Sequence, residues 1–267
     1  MAAIHPTAIV EPGARLGEGV AVGPYCVVGA EAELAAGVRL VSHVVVAGRT
    51  ALGPDTTVYP FASLGHPPQD LKYAGEPSRL LIGRRNTIRE HVTMNPGTVG
   101  GGMETVTGDD CLFMVGAHVA HDCRIGDRVV MANNATLAGH VEVQDDVVLG
   151  GLAAVHQFVR IGAQAMVGGM SGVEHDVPPF AVVAGNRARI EGLNIVGLRR
   201  RGFPRAEIDA LRGAFRFLVG PGEGDFAGRV ARLRAAGGGS AATERLLGFL
   251  AAEGARGVCR PARTDGG

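Results

Sequence analysis

The sequence predicts an all-β solenoid, a parallel β-helix, followed by a small α-helical region. Three observations carry that prediction. A six-residue repeat runs from Ile4 to about Asn186. Glycine is abundant, 42 of 267 residues, with no collagen triplet. The apolar spacing then becomes helical from about Leu198. A period this short, sustained this long, means coils stacked so that each rests on its neighbours.

The repeat is set by aliphatic residues at Ile4, Val10, Leu16, Val22, Val28, Leu34, Leu40, Val46, Leu52, Val58 and Leu64. It resumes at Ile82, Ile88 and Met94. After a slip it returns at Phe113, Val119, Ile125, Met131, Leu137, Val143, Leu149, Val155, Ile161, Val167 and Val173. The second place of each hexad is often glycine, and the fifth is small or β-branched. That composition, with 4% aromatics and no tryptophan, suits a narrow coil packed by Val, Ile and Leu. Two interruptions, near 66–81 and 100–104, read as loops thrown out from a corner. The β-helix is expected over 1–190 and the helical region over 191–267. Pro204 marks a helix start, and Ile208, Leu211, Phe215 and Leu218 follow a helical stripe. Leu246, Leu247, Phe249 and Leu250 suggest a second helix beyond Gly237.

Composition excludes several classes. No apolar stretch approaches the roughly 20 residues that span a bilayer. The repeat begins at Ile4, so no secretory signal fits before it, and a cytoplasmic location is expected. Cys26, Cys111, Cys123 and Cys259 form no CxxC pair, which fits reduced, buried thiols. There is no GxxxxGK[ST] and no strand-GxGxxG-helix unit, so neither ATP nor a dinucleotide is expected as cofactor. Charge is balanced overall, yet residues 191–267 hold 13 Arg against 8 Asp plus Glu, leaving a basic tail that suits an acidic partner. Nothing points to nucleic acid.

If three hexads make one coil, residues 18 apart share a face, and adjacent coils lie about 4.8 Å apart. Val119, Leu137 and Val155 then stack. Their hexads carry His121, His140 and His156, and the spacing predicts three imidazoles converging on one ligand. Leu64 and Met94 begin hexads on that same face, so both loops leave from it. Asp70, Lys72 (the only lysine in the chain), Asn95 and His118 are expected nearby. His121 is followed by Asp122. A neutral imidazole takes a proton from an alcohol near pH 7 while a carboxylate fixes its tautomer. Gly139 is placed to offer a backbone N–H to an oxyanion. No motif marks a covalent nucleophile, which favours direct attack by a bound hydroxyl or amine.

Several stretches carry a family resemblance: His66-Pro-Pro-Gln-Asp-Leu-Lys-Tyr-Ala-Gly-Glu-Pro77, Ala117-His-Val-Ala-His-Asp-Cys123, Ala132-Asn-Asn-Ala-Thr-Leu-Ala-Gly-His140, Ala154-Val-His-Gln-Phe158 and Gly197-Leu-Arg-Arg-Arg-Gly202. In these the chain resembles the acyl-ACP–UDP-N-acetylglucosamine O-acyltransferases of lipid A biosynthesis. The resemblance implies a left-handed β-helix, a homotrimer with sites between subunits, and no cofactor or metal. It implies transfer of an (R)-3-hydroxyacyl group from acyl carrier protein to the 3-hydroxyl of UDP-N-acetylglucosamine. His121 matches the general base, Asp122 its orienting partner and Gly139 the oxyanion donor. Gln69, Asp70 and Lys72 fall in the segment that holds the sugar nucleotide, with His118, His140, His156 and Gln157 in the same cleft. Asn194, Arg200 and Arg201 match nucleotide contacts from a neighbouring subunit. Gly169 matches a position that limits acyl length, where glycine admits a long chain. The basic tail would dock the carrier protein. Asn95 stands where a histidine is common in the family, and Val196 where an acidic residue is common. Three rivals are an N-acyltransferase acting on an amino sugar, whose extra N-terminal domain is not expected with a repeat that starts at Ile4, a zinc hydratase using His118, His121 and a neighbouring histidine, and a non-catalytic β-helix scaffold, which predicts a flat face without converging polar groups.

Overall fold

The computed structural model describes residues 1–220, 224–237, 239–252 and 254–261. The chain winds through three sheets of eleven, nine and eight strands, all parallel except the last strand of the first sheet and most only two residues long. The first sheet starts at Ala3–Ile4, the second at Ile9–Val10 and the third at Arg15–Leu16. Ala3 pairs with Ala21 and Ile9 with Val27, the one-coil step of 18 residues. This is a left-handed hexapeptide β-helix with a small helical domain after it.

The first residue of each hexad points inward and builds the core. Val28, Leu64, Met94, Val119 and Leu137 have no exposed surface, and each contributes about 1.5–3 kcal/mol by burial. The end coil has no neighbour above it, so Ile4 stays 48% exposed while Val22, one coil down, is 2% exposed.

The slip between residues 106 and 113 resolves as the sequence counting requires. Leu64 pairs with Met94, Met94 with Val119, Val119 with Leu137 and Leu137 with Val155, all in the second sheet. Both loops leave the corner that follows this sheet. The far end of the second loop differs from expectation. Glu104 is not in it but opens the strand Glu104–Thr107, pairing with Arg79. The partner strand Arg79–Ile82 is four residues long, and its extra ladder positions draw Glu104 into the sheet; residues 79–81, expected in the first loop, belong to this strand as well.

Four helices follow among the described residues: α1 (Ile195–Arg200), α2 (Arg205–Val219), α3 (Phe226–Ala235) and α4 (Ala241–Ala251). Pro204 is the N-cap of α2, and Ile208, Leu211, Phe215 and Leu218 are buried on its inner face. Neither α1 nor α3 was expected from the apolar spacing; α3 buries no residue, so its apolar stripe is weak. The chain then returns to the coil through bridges from Asp176 to Val258 and from Ile190 to Pro261. An ion pair of 2.7 Å between half-buried Arg160 and buried Asp176 anchors this return, with the Arg160 guanidinium also donating to the Ala252 carbonyl at 3.0 Å. No described helix is long and apolar enough to cross a membrane.

Candidate active site

The corner after the second sheet stacks residues in columns one coil apart. Asp122, His140 and Phe158 form one column: His140 N–H donates to the His121 carbonyl and Phe158 N–H to that of Gly139. Asp122, His140 and Phe158 all have left-handed backbones, with φ of 60, 61 and 65°. Such a conformation costs an ordinary residue about 1–2 kcal/mol, so the corner holds these side chains in place at some expense.

His121 and Asp122 form the centre. His121 Nδ1 lies 2.8 Å from Asp122 Oδ2, and both residues are buried. The carboxylate can only accept here, so Nδ1 carries the proton and Nε2 presents its lone pair. Thr98 completes the arrangement. Its N–H donates to Asp122 Oδ1 at 2.8 Å and its hydroxyl to Asp122 Oδ2 at 2.6 Å. The Asp122 N–H donates to Thr105 Oγ1 at 2.8 Å. A Cβ on Gly101 would lie 2.0 Å from the Asp122 carboxyl carbon, so glycine there lets the loop close over the carboxylate.

His140 joins this centre. Its Nε2 is 3.7 Å from Asp122 Oδ2, its ring is edge-on to His121 at 5.0 Å and stacks on Phe158 at 4.5 Å. Burial pushes its pKa below the ordinary imidazole value, against the upward pull of Asp122. His118 is also pushed down, by burial first and by His121 second; its Nδ1 lies 2.7 Å from Thr93 Oγ1. Above His140 opens a cleft of about 640 Å³ bounded by Asp70, Lys72, Glu76, Thr98, Val99 and His140, within the usual range for small-molecule sites. Asp70 Oδ1 accepts from the Lys72 N–H at 3.0 Å, a turn that fixes this stretch of the loop.

The third histidine does not converge with the other two. His156 stacks in the column of Ala120 and Ala138, because it is second in its hexad whereas His121 is third and His140 fourth. Counting by 18 aligned the hexads, but one residue along a corner turns a side chain elsewhere. His156 is exposed and accepts from Arg256 Nη2 at 2.5 Å through Nδ1. The Gln157 carbonyl accepts from Arg256 Nε at 2.8 Å.

This geometry has counterparts in known proteins. Residues 104–139 match the bacterial transferase hexapeptide repeat, and residues 176–259 match domain 2 of UDP N-acetylglucosamine O-acyltransferase. An acyl-[acyl-carrier-protein]–UDP-N-acetylglucosamine O-acyltransferase of Caulobacter vibrioides is 53% identical over 260 residues, 97% of this chain and 98% of that one. One of Thermodesulfovibrio yellowstonii is 53% identical over 215 residues, 80% of this chain and 83% of that one. The chain belongs to the UDP-N-acetylglucosamine O-acyltransferase family. A crystal structure of a UDP-N-acetylglucosamine acyltransferase superposes with a TM-score of 0.93 at 41% identity, covering 97% of this chain and 99% of that chain.

The remaining positions matched to the UDP-N-acetylglucosamine O-acyltransferase family lie outside the cleft walls of this chain. Gln69 is exposed on the same loop as Asp70. Gly169 is exposed at the opposite corner of the second sheet, between Val167 and Met170. Asn194 is buried and caps α1: its Oδ1 accepts from the Gly197 N–H at 3.0 Å, and its Nδ2 donates to the Gln164 carbonyl at 2.9 Å. Arg201 donates to the Asp146 carbonyl at 2.7 Å, tying α1 to the coil, while Arg200 is exposed. Asn95 Nδ2 donates to the carbonyls of His66 and Pro67, at 3.0 and 3.3 Å, and so holds the base of the first loop. Val196 is 61% exposed. Sequence reading missed Thr98, whose only signal was its place beside the glycine-rich break.

Proposed function

We propose that this enzyme transfers an (R)-3-hydroxyacyl group from acyl carrier protein to the 3-hydroxyl of UDP-N-acetylglucosamine, the first step of lipid A biosynthesis. One observation supports this above the others: a buried His121–Asp122 pair, in a fixed tautomer, beneath a cleft walled by Asp70 and Lys72. In this reading His121 Nε2 takes the proton of the sugar hydroxyl as its oxygen attacks the thioester carbonyl. The Gly139 N–H, which donates to no described residue, accepts the role of oxyanion donor. Collapse expels the carrier thiolate, which recovers the proton from the imidazolium. Asp122 stabilises that imidazolium without itself taking the proton. The thioester supplies the activation, so no further cofactor is required.

Asp70 and Lys72, with Gln69 beside them, hold the sugar nucleotide in this proposal, and His118, His140, His156 and Gln157 line its approach. Asn194, Arg200 and Arg201 contribute from the neighbouring subunit of a homotrimer, and Gly169 leaves the acyl channel open. The basic helical tail attracts the acidic carrier protein in the cytoplasm. The test is mass spectrometry of the product formed from mixed acyl-chain lengths with 3-hydroxy and 3-amino acceptors. An O-acylated 3-hydroxy sugar is expected; exclusive amide formation would show an N-acyltransferase instead.

A further inference from the structure

A hollow of about 350 Å³ lies between the last coil and the returning C-terminal segment, bounded by His175, Arg189, Arg256, Gly257, Val258 and Arg260. Four of its six bordering residues are cationic or can become so, and none is acidic. Among the described residues, no carboxylate forms an ion pair with Arg189, Arg256 or Arg260. Glu174 and Glu191, each adjacent in sequence to a bordering segment, form none with them. Several arginines on the coil have carboxylate partners: Arg84 with Asp109, Arg85 with Asp110 and Arg128 with Asp146. The hollow instead gathers three arginines at one place without a carboxylate between them.

Its backbone is fixed on both sides. Arg189 opens the antiparallel strand Arg189–Leu193, and the Arg260 carbonyl accepts from the Ile190 N–H at 3.1 Å. The Asp176–Val258 bridge holds the other edge. Arg256 is oriented by its bonds to His156 and the Gln157 carbonyl, which use two of the five guanidinium N–H donors. Three guanidinium groups around one hollow repel each other unless an anion sits between them. Their planar donor forks match a tetrahedral oxyanion better than a point charge does.

We propose that this hollow binds a phosphate group. Two sources share that chemistry: free inorganic phosphate, and the phosphodiester of the donor's pantetheine arm. The second rests on the function proposed above and the first does not. Arg256 links the hollow to His156 at the active-site corner, so occupancy would fix that histidine's position.

The experiment is calorimetric titration of the full-length protein with inorganic phosphate and, separately, with 4′-phosphopantetheine, at ionic strength matched by chloride. At least one probe should bind the wild type. Affinity should fall by about tenfold or more in Arg189→Ser and in Arg260→Ser, as expected for loss of a charge-assisted contact, with Arg189→Lys recovering part of it. Turnover at saturating substrates should be retained in these variants. Arginine Nε–H resonances of the wild type give a readout that needs no substitution: those of Arg189 and Arg260 should shift on adding the bound probe. Tighter binding of 4′-phosphopantetheine identifies the donor arm, and equal or tighter binding of inorganic phosphate identifies the free anion. Binding of neither probe, or wild-type affinity in both serine variants, overturns the proposal. Loss of wild-type acyl transfer would instead count against the functional reading alone.

Discussion

Thr98 holds Asp122 by two donors, its N–H at 2.8 Å and its hydroxyl at 2.6 Å. Through Asp122 it sets the tautomer of His121, although it touches no imidazole itself. Replacing Thr98 by Val removes the hydroxyl and keeps the shape. A hydrogen bond to a charged group is worth about 1.5–3 kcal/mol, so kcat should fall about 10- to 100-fold with little change in KM. Thr98→Ser should restore most of it. Steady-state kinetics of the two variants, compared with their pH profiles, check this; an unaltered kcat in Thr98→Val would remove the positioning role.

Gly139 is held to glycine by the imidazole above it. A Cβ there would meet His121 Cε1 at 2.4 Å and Nε2 at 2.6 Å. Gly139→Ala should therefore push the base aside and lower kcat by about 100-fold or more, as misplacement by an ångström does. The fold should survive, since His121 lies at the edge of the core. Circular dichroism together with turnover separates the two effects.

The coil was legible because its signal is repetitive: Leu64, Met94, Val119, Leu137 and Val155 share a face as the hexad count requires. His121 beside Asp122 was legible for the same reason, the two being adjacent in sequence and set on a known corner. His156 was misplaced because a hexad count fixes the coil and face, whereas the position within the hexad fixes the direction. Thr98 was invisible because its contact with Asp122 spans 24 residues and depends on a loop with no period. Helix α1 escaped because its start depends on the Asn194 cap and its anchor on Arg201 and Asp146, which are tertiary contacts.

The thiols should be chemically quiet. Burial pushes Cys123 up to about 12 and both Cys111 and Cys259 up to about 11. A thiolate at neutral pH is then scarce, and Cys123, next to Asp122 in sequence, is no nucleophile. Iodoacetamide at pH 7 should leave native protein unmodified at these three positions and fully active, while denatured protein is alkylated. Rapid native modification at Cys123 with loss of activity would point to a covalent route.

His121, Asp122 and His140 offer three ligand atoms within 4.8 Å of one another, a grouping that would also suit a metal ion. Two features favour acid–base chemistry instead. His121 Nδ1 already serves Asp122, and the Asp122 carboxylate already accepts from the Thr98 N–H and hydroxyl as well. Overnight chelation followed by desalting should leave acyl transfer unchanged, and added zinc should inhibit by occupying the base. Loss of activity restored by zinc would favour the hydratase reading.

His118 gives a stability signature in acid. Burial, then His121, holds its pKa below the ordinary imidazole value of about 6.5. Between that value and the lowered one, the unfolded chain binds more protons than the fold does. Stability must therefore fall as pH drops through this window, and the loss becomes constant below it. Carboxylates also weaken the fold in acid, so the difference between proteins is the useful quantity. His118→Asn keeps a polar partner for Thr93 and cannot titrate. Its denaturation midpoint should fall less steeply than the wild type's on acidification from pH 7, and the two slopes should become parallel once wild-type His118 is protonated. Equal slopes throughout would mean that His118 is charged as readily in the fold as in the unfolded chain.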